Sequence, residues 1–224
     1  RHTRLQGDWS SDVRSSDLVP ITIIGTAAFS QCSSLSTVIF AETITTINAS
    51  AFASTPISEF TAPPKLTTLG TSAFYSCRKI KIADLVQSGL NELPDFSFAL
   101  CTSLSRITFP TKLSTIGEYA LSGTALATIA LTSQVTSIKS RAFANCGDLK
   151  NVDLSQTKVT VLNGTFRGCI NLATFKLPLE LTCLEDSPFL GTALIPIPIP
   201  ESLTSLGPSA FANTTFNGQG LPGI

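Results

Sequence analysis

The chain has 224 residues, with 15 basic and 15 acidic side chains, and 43% of its residues are hydrophobic. This balance of charge gives no support to nucleic acid or an anionic membrane as a partner. No run approaches the ~18 apolar residues that a membrane-spanning helix needs, and the composition is too apolar for a disordered chain. The sequence therefore predicts a folded protein with a sizeable core.

The first 18 residues differ from the rest of the chain. They hold the only histidine and the only tryptophan, His2 and Trp9. The stretch from Asp8 to Leu18 resembles the translation of a sequencing-adapter oligonucleotide, and the alternative is a native polar leader. We interpret residues 1–18 as a non-native leader and residues 19–224 as the native domain, truncated at both ends.

Residues 19–224 repeat with a period of 22 to 24 residues, and each unit is marked by an aromatic position. Where the third residue after this position is cysteine, the next apolar residue follows three residues later, as in Cys101 and Leu104. Where it is threonine, the distance is two residues, as in Thr124 and Leu126. The aromatic positions are Phe29, Phe52, Phe74, Phe98, Leu121, Phe143, Phe166, Phe189 and Phe211.

Each unit contains a short strand pattern. It reads L-x-x-I-x-L, as in Leu104, Ile107 and Phe109, so its fourth and sixth residues alternate inward. A corner and two further apolar residues three apart follow, such as Leu113 and Ile116. One such unit cannot bury its own apolar side chains, whereas stacked units bury them continuously. The sequence therefore predicts a solenoid of eight to nine units.

These motifs resemble the BspA-like leucine-rich repeats, whose consensus is close to L-x-x-I-x-L-P-x-x-L-x-x-I-G-x-x-A-F-x-x-C. Residues 104–146 show the pattern clearly, although Leu121 replaces the aromatic residue and the register of residues 158–162 is ambiguous. The resemblance implies an α/β repeat fold, with a parallel β-sheet on one face and turns or short helical turns on the other. It also implies surface proteins of bacteria and parasitic protists, some of which bind host matrix proteins or other cells.

Five of the six cysteines share one repeat position, where threonine also occurs, which favours buried free thiols over disulfides. Neighbouring units bring Cys77 near Cys101, and Cys146 near Cys169, so distance alone leaves disulfides open. Cys183 lies outside this position and is the candidate reactive thiol. We expect no metal site, because the sequence has no C-x-x-C pair and residues 19–224 have no histidine.

Catalytic motifs are also missing from residues 19–224. Without histidine, a Ser-His-Asp or Cys-His arrangement cannot form, and the adjacent acids Glu185 and Asp186 fit a solvated corner better than acid–base catalysis. A G-x-G-x-x-G match at Gly218, Gly220 and Gly223 lacks the helix that a dinucleotide site requires. We expect neither enzymatic activity nor a cofactor.

The outer face of the predicted sheet is the candidate binding surface. Its outward positions are mostly small and polar, and four basic residues on it are candidate ligand contacts. An equally good interpretation is a solvated sheet without a ligand. The four residues are Lys81, Arg106, Lys150 and Lys176.

Three N-x-[ST] sequons, at Asn48, Asn163 and Asn213, are candidate glycosylation sites if the protein is secreted by a eukaryote. We predict a non-catalytic protein-binding module, a fragment of a surface adhesion protein at the cell surface or outside the cell. Its expected partners are proteins of the extracellular matrix or of a host surface. The alternative is an intracellular scaffold with the same fold, and fold-level analogy supports both functions.

Overall fold

The structure is a computed structural model that describes Thr3–Arg4 and residues 20–214. His2, Trp9 and the glycine motif from Gly218 to Gly223 lie outside these residues. Of the predicted leader, only Thr3–Arg4 is described; it forms a two-residue strand.

The backbone forms seventeen short strands in the described residues. In chain order they are β1 Thr3–Arg4, β2 Ile23–Ile24, β3 Val38–Ile39, β4 Thr46–Ile47, β5 Glu59–Thr61, β6 Thr68–Leu69, β7 Ile82–Asp84, β8 Glu92–Leu93, β9 Arg106–Thr108, β10 Thr115–Ile116, β11 Thr128–Ala130, β12 Ser137–Ile138, β13 Asn151–Asp153, β14 Val161–Leu162, β15 Thr174–Lys176, β16 Cys183–Leu184 and β17 Ser205–Leu206.

The strands form two parallel ladders rather than the single sheet that we predicted. The odd-numbered strands β3 to β15 form the first ladder, at the predicted L-x-x-I-x-L positions. The even-numbered strands and β17 form the second ladder, at the paired apolar residues before each aromatic position. Strand β1 pairs with β3. We number the coils 1 to 9 by their aromatic positions; each contains a second-ladder strand, the aromatic position and the first-ladder segment.

The prediction of helical turns is wrong, because the described residues contain no helix, and hence no helix that could span a membrane. In their place each coil has consecutive turns, which we call the turn side. The residues two before and two after the aromatic position have positive φ, for example Ser50 at 54° and Ser54 at 58°. Alternate N–H groups there donate to the next coil, as Phe52 does to the Ala73 carbonyl at 2.8 Å. A continuous right-handed helix is therefore impossible on this side.

The core is a single cluster that runs from Ile24 to Ala210. At its centre the aromatic side chains stack from coil to coil, with ring centroids 5.1 Å apart for Phe29 and Phe52 and 5.4 Å for Phe52 and Phe74. Leu121 interrupts the stack, which resumes at Phe143. These distances are close to the 4.7–4.9 Å strand spacing, so ring stacking and strand pairing fit the same coil rise.

Breaks in the ladders coincide with local changes in the number of residues in a turn or corner. The first ladder is interrupted before β5 and before β11, and coil 8 has no first-ladder strand. In each of these three coils the first-ladder segment follows a shortened turn, at Thr55, Thr124 and Thr192 respectively. The second ladder is interrupted before β8 and β14. Each of these strands follows a lengthened corner. A change of one residue therefore breaks strand pairing locally while the core continues.

The structure resolves the ambiguous register of residues 158–162. The corner before β14 has an extra residue, and the Thr157 hydroxyl donates to the Leu154 carbonyl at 2.7 Å. In the 24-residue unit Ser88 donates to the Leu85 carbonyl in the same way, also at 2.7 Å. Leu162 pairs in register with Leu184. Phe166 follows Leu162 by four residues, whereas Phe189 follows Leu184 by five, so coil 7 is one residue shorter between its second-ladder strand and its aromatic position.

Ser97 provides a test of core packing. Its side chain is fully buried and its Oγ has no hydrogen-bond partner. We expect Ser97→Ala to raise the free energy of unfolding by about 1 kcal/mol, because it removes an unsatisfied polar group. The matched control is Ser122→Ala, which removes a hydroxyl that donates to the Ala144 carbonyl at 2.9 Å and should lower stability by about 1 kcal/mol. The urea midpoint measures both changes; a lower midpoint for Ser97→Ala contradicts this account.

Candidate functional site

The first ladder places the four predicted basic residues on its outer face. The strands alternate exposed, buried and exposed side chains, as in β13, where Val152 faces the core. Lys81 and Arg106 lie in neighbouring coils, as do Lys150 and Lys176, and all four side chains are exposed. Coil 5 separates the two pairs with Ala127, Thr128 and Ala130, so the basic stripe is interrupted.

One of the four cations is paired within the face. Lys176 Nζ lies 2.8 Å from Asp153 Oδ2 in the neighbouring coil. The other oxygen, Asp153 Oδ1, accepts hydrogen bonds from the Ser155 hydroxyl at 2.6 Å and the Ser155 N–H at 3.0 Å. The hydrogen bonds from Lys176 and Ser155 lower the pKa of Asp153 to about 2. The structure records no ion pair for Lys81, Arg106 or Lys150 with any described residue.

A shallow groove of about 400 Å³ lies at the C-terminal end of this face and crosses coils 5 to 8. Lys176 is the only one of the four predicted basic residues among the groove's described lining. The exposed Ile195 and Pro196 give the groove an apolar end. Its other outward lining residues are Thr128, Asn151, Asp153 and Thr174.

The cysteine position has a structural role between coils. Each buried thiol donates to the carbonyl at the aromatic position of the preceding coil, as Cys77 Sγ does to the Phe52 oxygen at 3.0 Å. Cys101, Cys146 and Cys169 make the same contact at 3.1 to 3.2 Å. Burial raises the pKa of the Cys77 and Cys101 thiols. All six cysteines are free thiols in the structure.

Cys32 is an exception to the predicted burial of this position. It is exposed, whereas the other four are buried. The four buried thiols bond to a carbonyl of the preceding coil, and the structure records no such bond for Cys32 with any described residue. Cys183, our candidate reactive thiol, is half-buried on the second ladder. Exposure therefore favours Cys32 as the more reactive of the two.

The described residues contain no group of three or more His, Cys, Asp or Glu side chains that could hold a metal ion. The adjacent acids lie in an exposed corner of coil 8. Glu185 accepts a hydrogen bond from the Asn163 side-chain amide at 2.6 Å, and Asp186 accepts one from the Ser187 hydroxyl at 2.6 Å. Both contacts join side chains within the solenoid.

The candidate glycosylation sites have different surroundings. Asn48 is half-buried, and the Asn163 amide is bonded to Glu185. Asn213 is exposed, but its sequon ends at Thr215, outside the described residues. Glycosylation at these three positions stays a prediction.

Sequence reasoning missed a cluster on the turn side. Phe96, Tyr119 and Arg141 lie in consecutive coils, two residues before the aromatic position, and form a half-buried stack. Tyrosine and arginine are enriched at the energetic centres of protein interfaces. Aligning the units on the aromatic position places the three residues in one column, and this column is the signal for the cluster in the sequence.

Sequence comparison identifies the repeat. The sequence model that describes a BspA type leucine rich repeat region, in six copies, matches residues 15–109 and 91–217. The chain belongs to the BspA-type leucine-rich repeat family. This confirms the resemblance seen in the sequence. No curated protein matches the sequence.

Solved structures share the fold of this BspA-type chain. A leucine-rich repeat protein from Bacteroides ovatus is 22% identical, with a TM-score of 0.52 over 87% of this chain and 68% of that chain. A leucine rich cell surface protein from Faecalibacterium prausnitzii is 24% identical, with a TM-score of 0.55 over 89% and 58%. The leucine rich repeat protein of T. pallidum is 24% identical, with a TM-score of 0.55 over 95% and 75%. The chain thus spans little more than half of the Faecalibacterium protein.

The accessibility of the thiols predicts their order of alkylation. We expect iodoacetamide to modify Cys32 first in the native chain, and Cys77, Cys101, Cys146 and Cys169 only after unfolding, because the thiolate must form and be reached. Peptide mapping by mass spectrometry after timed labelling measures the order. Labelling in concentrated urea is the control and should modify all six. Equal native rates for Cys32 and Cys101 would contradict the assignment.

The ion pair between Asp153 and Lys176 predicts a local titration. We expect the carboxyl carbon of Asp153 to titrate near pH 2 by NMR, and Lys176→Met to move the midpoint toward 3.8. Because the folded pKa is depressed, the contact stabilises the fold above the unfolded pKa, and this contribution is lost as the pH falls toward 2. Lys150→Met is the matched control and should leave the midpoint unchanged. An unchanged midpoint in Lys176→Met would show that the pair does not form.

Proposed function

We propose that the chain is a protein-binding module of a cell-surface protein and that it binds through the outer face of the first ladder. The groove across coils 5 to 8 carries this proposal, because it is a concave site with polar and apolar lining. Protein interfaces combine an apolar centre with a polar, solvent-accessible rim, and the groove offers both kinds of surface on an exposed face.

Charge and rigidity support the groove as a contact surface. Lys176 and Asp153 present both signs of charge in a fixed geometry. The Thr174 hydroxyl also bonds to Asn151 Oδ1 at 2.5 Å, so this part of the lining is ordered before a ligand arrives. Ordered polar groups lose less entropy on binding. Lys81, Arg106 and Lys150 extend the face with exposed positive charges. Glu59 and Asp84 add negative charges at outward positions of the same ladder, so the face suits a partner that also carries both signs of charge.

Two observations support a surface location and a non-catalytic role. The Faecalibacterium protein with the same fold is described as a cell surface protein. Leucine-rich repeats of this family are generally non-catalytic. We therefore propose proteins of the extracellular matrix or of a host surface as partners.

A binding assay with two matched variants tests this proposal. Purified collagen, fibronectin and laminin are immobilised, and binding of the full 224-residue chain is measured by biolayer interferometry. Thr128→Arg places a large side chain in the groove. Ser133→Arg adds the same charge at an exposed corner of the same coil. We expect binding to at least one matrix protein, about tenfold weaker for Thr128→Arg, which corresponds to about 1.4 kcal/mol, and unchanged for Ser133→Arg.

Two results would contradict the proposal. The first is no binding of the wild-type chain to any of the three matrix proteins. The second is equal binding by both variants, which would place the contact away from the groove. Near-native circular dichroism of each variant shows that the fold is retained.

A further inference from the structure

The turn side carries one column of residues that departs from the rest of the solenoid. At the position two before the aromatic residue every coil has positive φ, and six of the nine coils carry Ala, Ser or Gly there. Coils 4, 5 and 6 instead carry Phe96, Tyr119 and Arg141, at φ of 57°, 52° and 57°. Large side chains rarely adopt this conformation, and such backbone strain is frequent at functional sites.

The three side chains form an ordered stack. The rings of Phe96 and Tyr119 are 5.1 Å apart and inclined by 11°. Arg141 covers the other face of Tyr119, with Cζ 5.7 Å from the ring centroid, and its Nη1 donates to the Tyr119 hydroxyl at 3.0 Å. Gly164 leaves room for this arginine, because a Cβ there would lie 2.9 Å from Arg141 Cγ. At this position of the repeat, the guanidinium of one coil therefore packs on the aromatic ring of the neighbouring coil.

The opposite end of the stack is open. In coil 3 the same position is Ser72, whose N–H donates to the Asp95 carbonyl at 3.0 Å. The serine side chain is too short to cover a phenyl ring, and Phe96 is only half-buried. Part of the Phe96 ring is therefore exposed, and no large side chain of coil 3 covers it as Arg141 covers Tyr119.

The charges around the stack favour a cation at this end of it. Acidic residues precede both rings: Asp95 before Phe96, and Glu118 before Tyr119. Asp95 Oδ1 accepts the Glu118 N–H at 2.7 Å and lies 3.5 Å from Lys139 Nζ. Lys139 also pairs with Glu92 at 3.2 Å. The structure records no ion pair for the Glu118 carboxylate with any described residue, so this carboxylate adds a negative charge on the turn side that Lys139 does not neutralise.

We propose that the open face of Phe96 is a second interaction site, which binds an arginine side chain of a partner protein. The guanidinium stacks on Phe96 above Ser72 and reproduces the contact between Arg141 and Tyr119. Arginine fits better than lysine, because its planar group stacks on a ring while its N–H groups stay free to bond to carboxylates. This site goes beyond the proposed function, because it lies on the turn side, away from the first-ladder groove.

An NMR titration tests this proposal. The full chain, with assigned backbone and aromatic resonances, is titrated with the blocked tripeptide acetyl-Gly-Arg-Gly-amide. We expect shifts confined to Phe96, Ser72 and their neighbours, and an upfield ring-current shift of the arginine δ-methylene protons. The corresponding Gln peptide should bind about two- to fivefold more weakly, which is the effect of an exposed cation–π contact. Shifts confined to the first-ladder face, or equal affinity for the Gln peptide, would overturn the proposal.

Two variants provide the controls. Phe96→Ser removes the ring and introduces the residue that coils 2, 3, 8 and 9 carry at this position. Ser72→Arg covers this ring from within the chain, at a position where Phe96, Tyr119 and Arg141 show that large side chains are accepted. We expect both variants to lose the response to the Arg peptide; retained binding in both would overturn the proposal. Thr128→Arg should keep the response, which separates failure of this site from failure of the groove.

Discussion

The side chain at the aromatic position has to be buried between two neighbouring coils, and the rest of the solenoid depends on this constraint. A single coil cannot bury this side chain by itself, so each ring packs on the ring of a neighbouring coil at 5.1 to 6.1 Å. The same spacing suits parallel strand pairing on two sides and consecutive turns on the third. Leu121 shows that the position requires bulk rather than aromaticity, since it is equally buried.

The polar contacts beside the stack divide the solenoid into blocks of three coils. Cysteine donates to the preceding coil, whereas Thr55, Thr124 and Thr192 donate to the carbonyl of their own coil. At the third residue after the aromatic position, coils 2, 3 and 4 carry threonine, cysteine and cysteine, and coils 5, 6 and 7 repeat this order. First-ladder pairing is interrupted where each threonine coil meets the coil before it. First-ladder pairing is therefore lost at the block boundaries, whereas second-ladder pairing continues across them and is interrupted inside each block, before β8 and β14. The apolar core crosses both kinds of break.

Packing fixes the residues at the core positions, whereas the outward positions can vary in sequence. The two proposed surfaces therefore carry different kinds of side chain. The first-ladder face has small polar residues with a groove at one end. The turn side has a dense stack of aromatic and cationic side chains on strained backbone. Neither surface contributes to the central stack, so changes in either need not disturb the fold.

The sequence by itself determined the period, the buried positions, the family and the strands of the first ladder, because each follows from apolar residues at fixed spacing within one unit. It also located the shortened turns at Thr55, Thr124 and Thr192, whereas the extra residue before β14 lay in the stretch of ambiguous register and was located by the structure. It did not determine the second ladder or the absence of helix, because neighbouring coils accept the N–H groups that a helix would use internally. Only the tertiary structure decided that Cys32 is exposed and that Phe96, Tyr119 and Arg141 meet. Those properties depend on contacts between residues 22 or more positions apart, which the local pattern of a single unit does not contain.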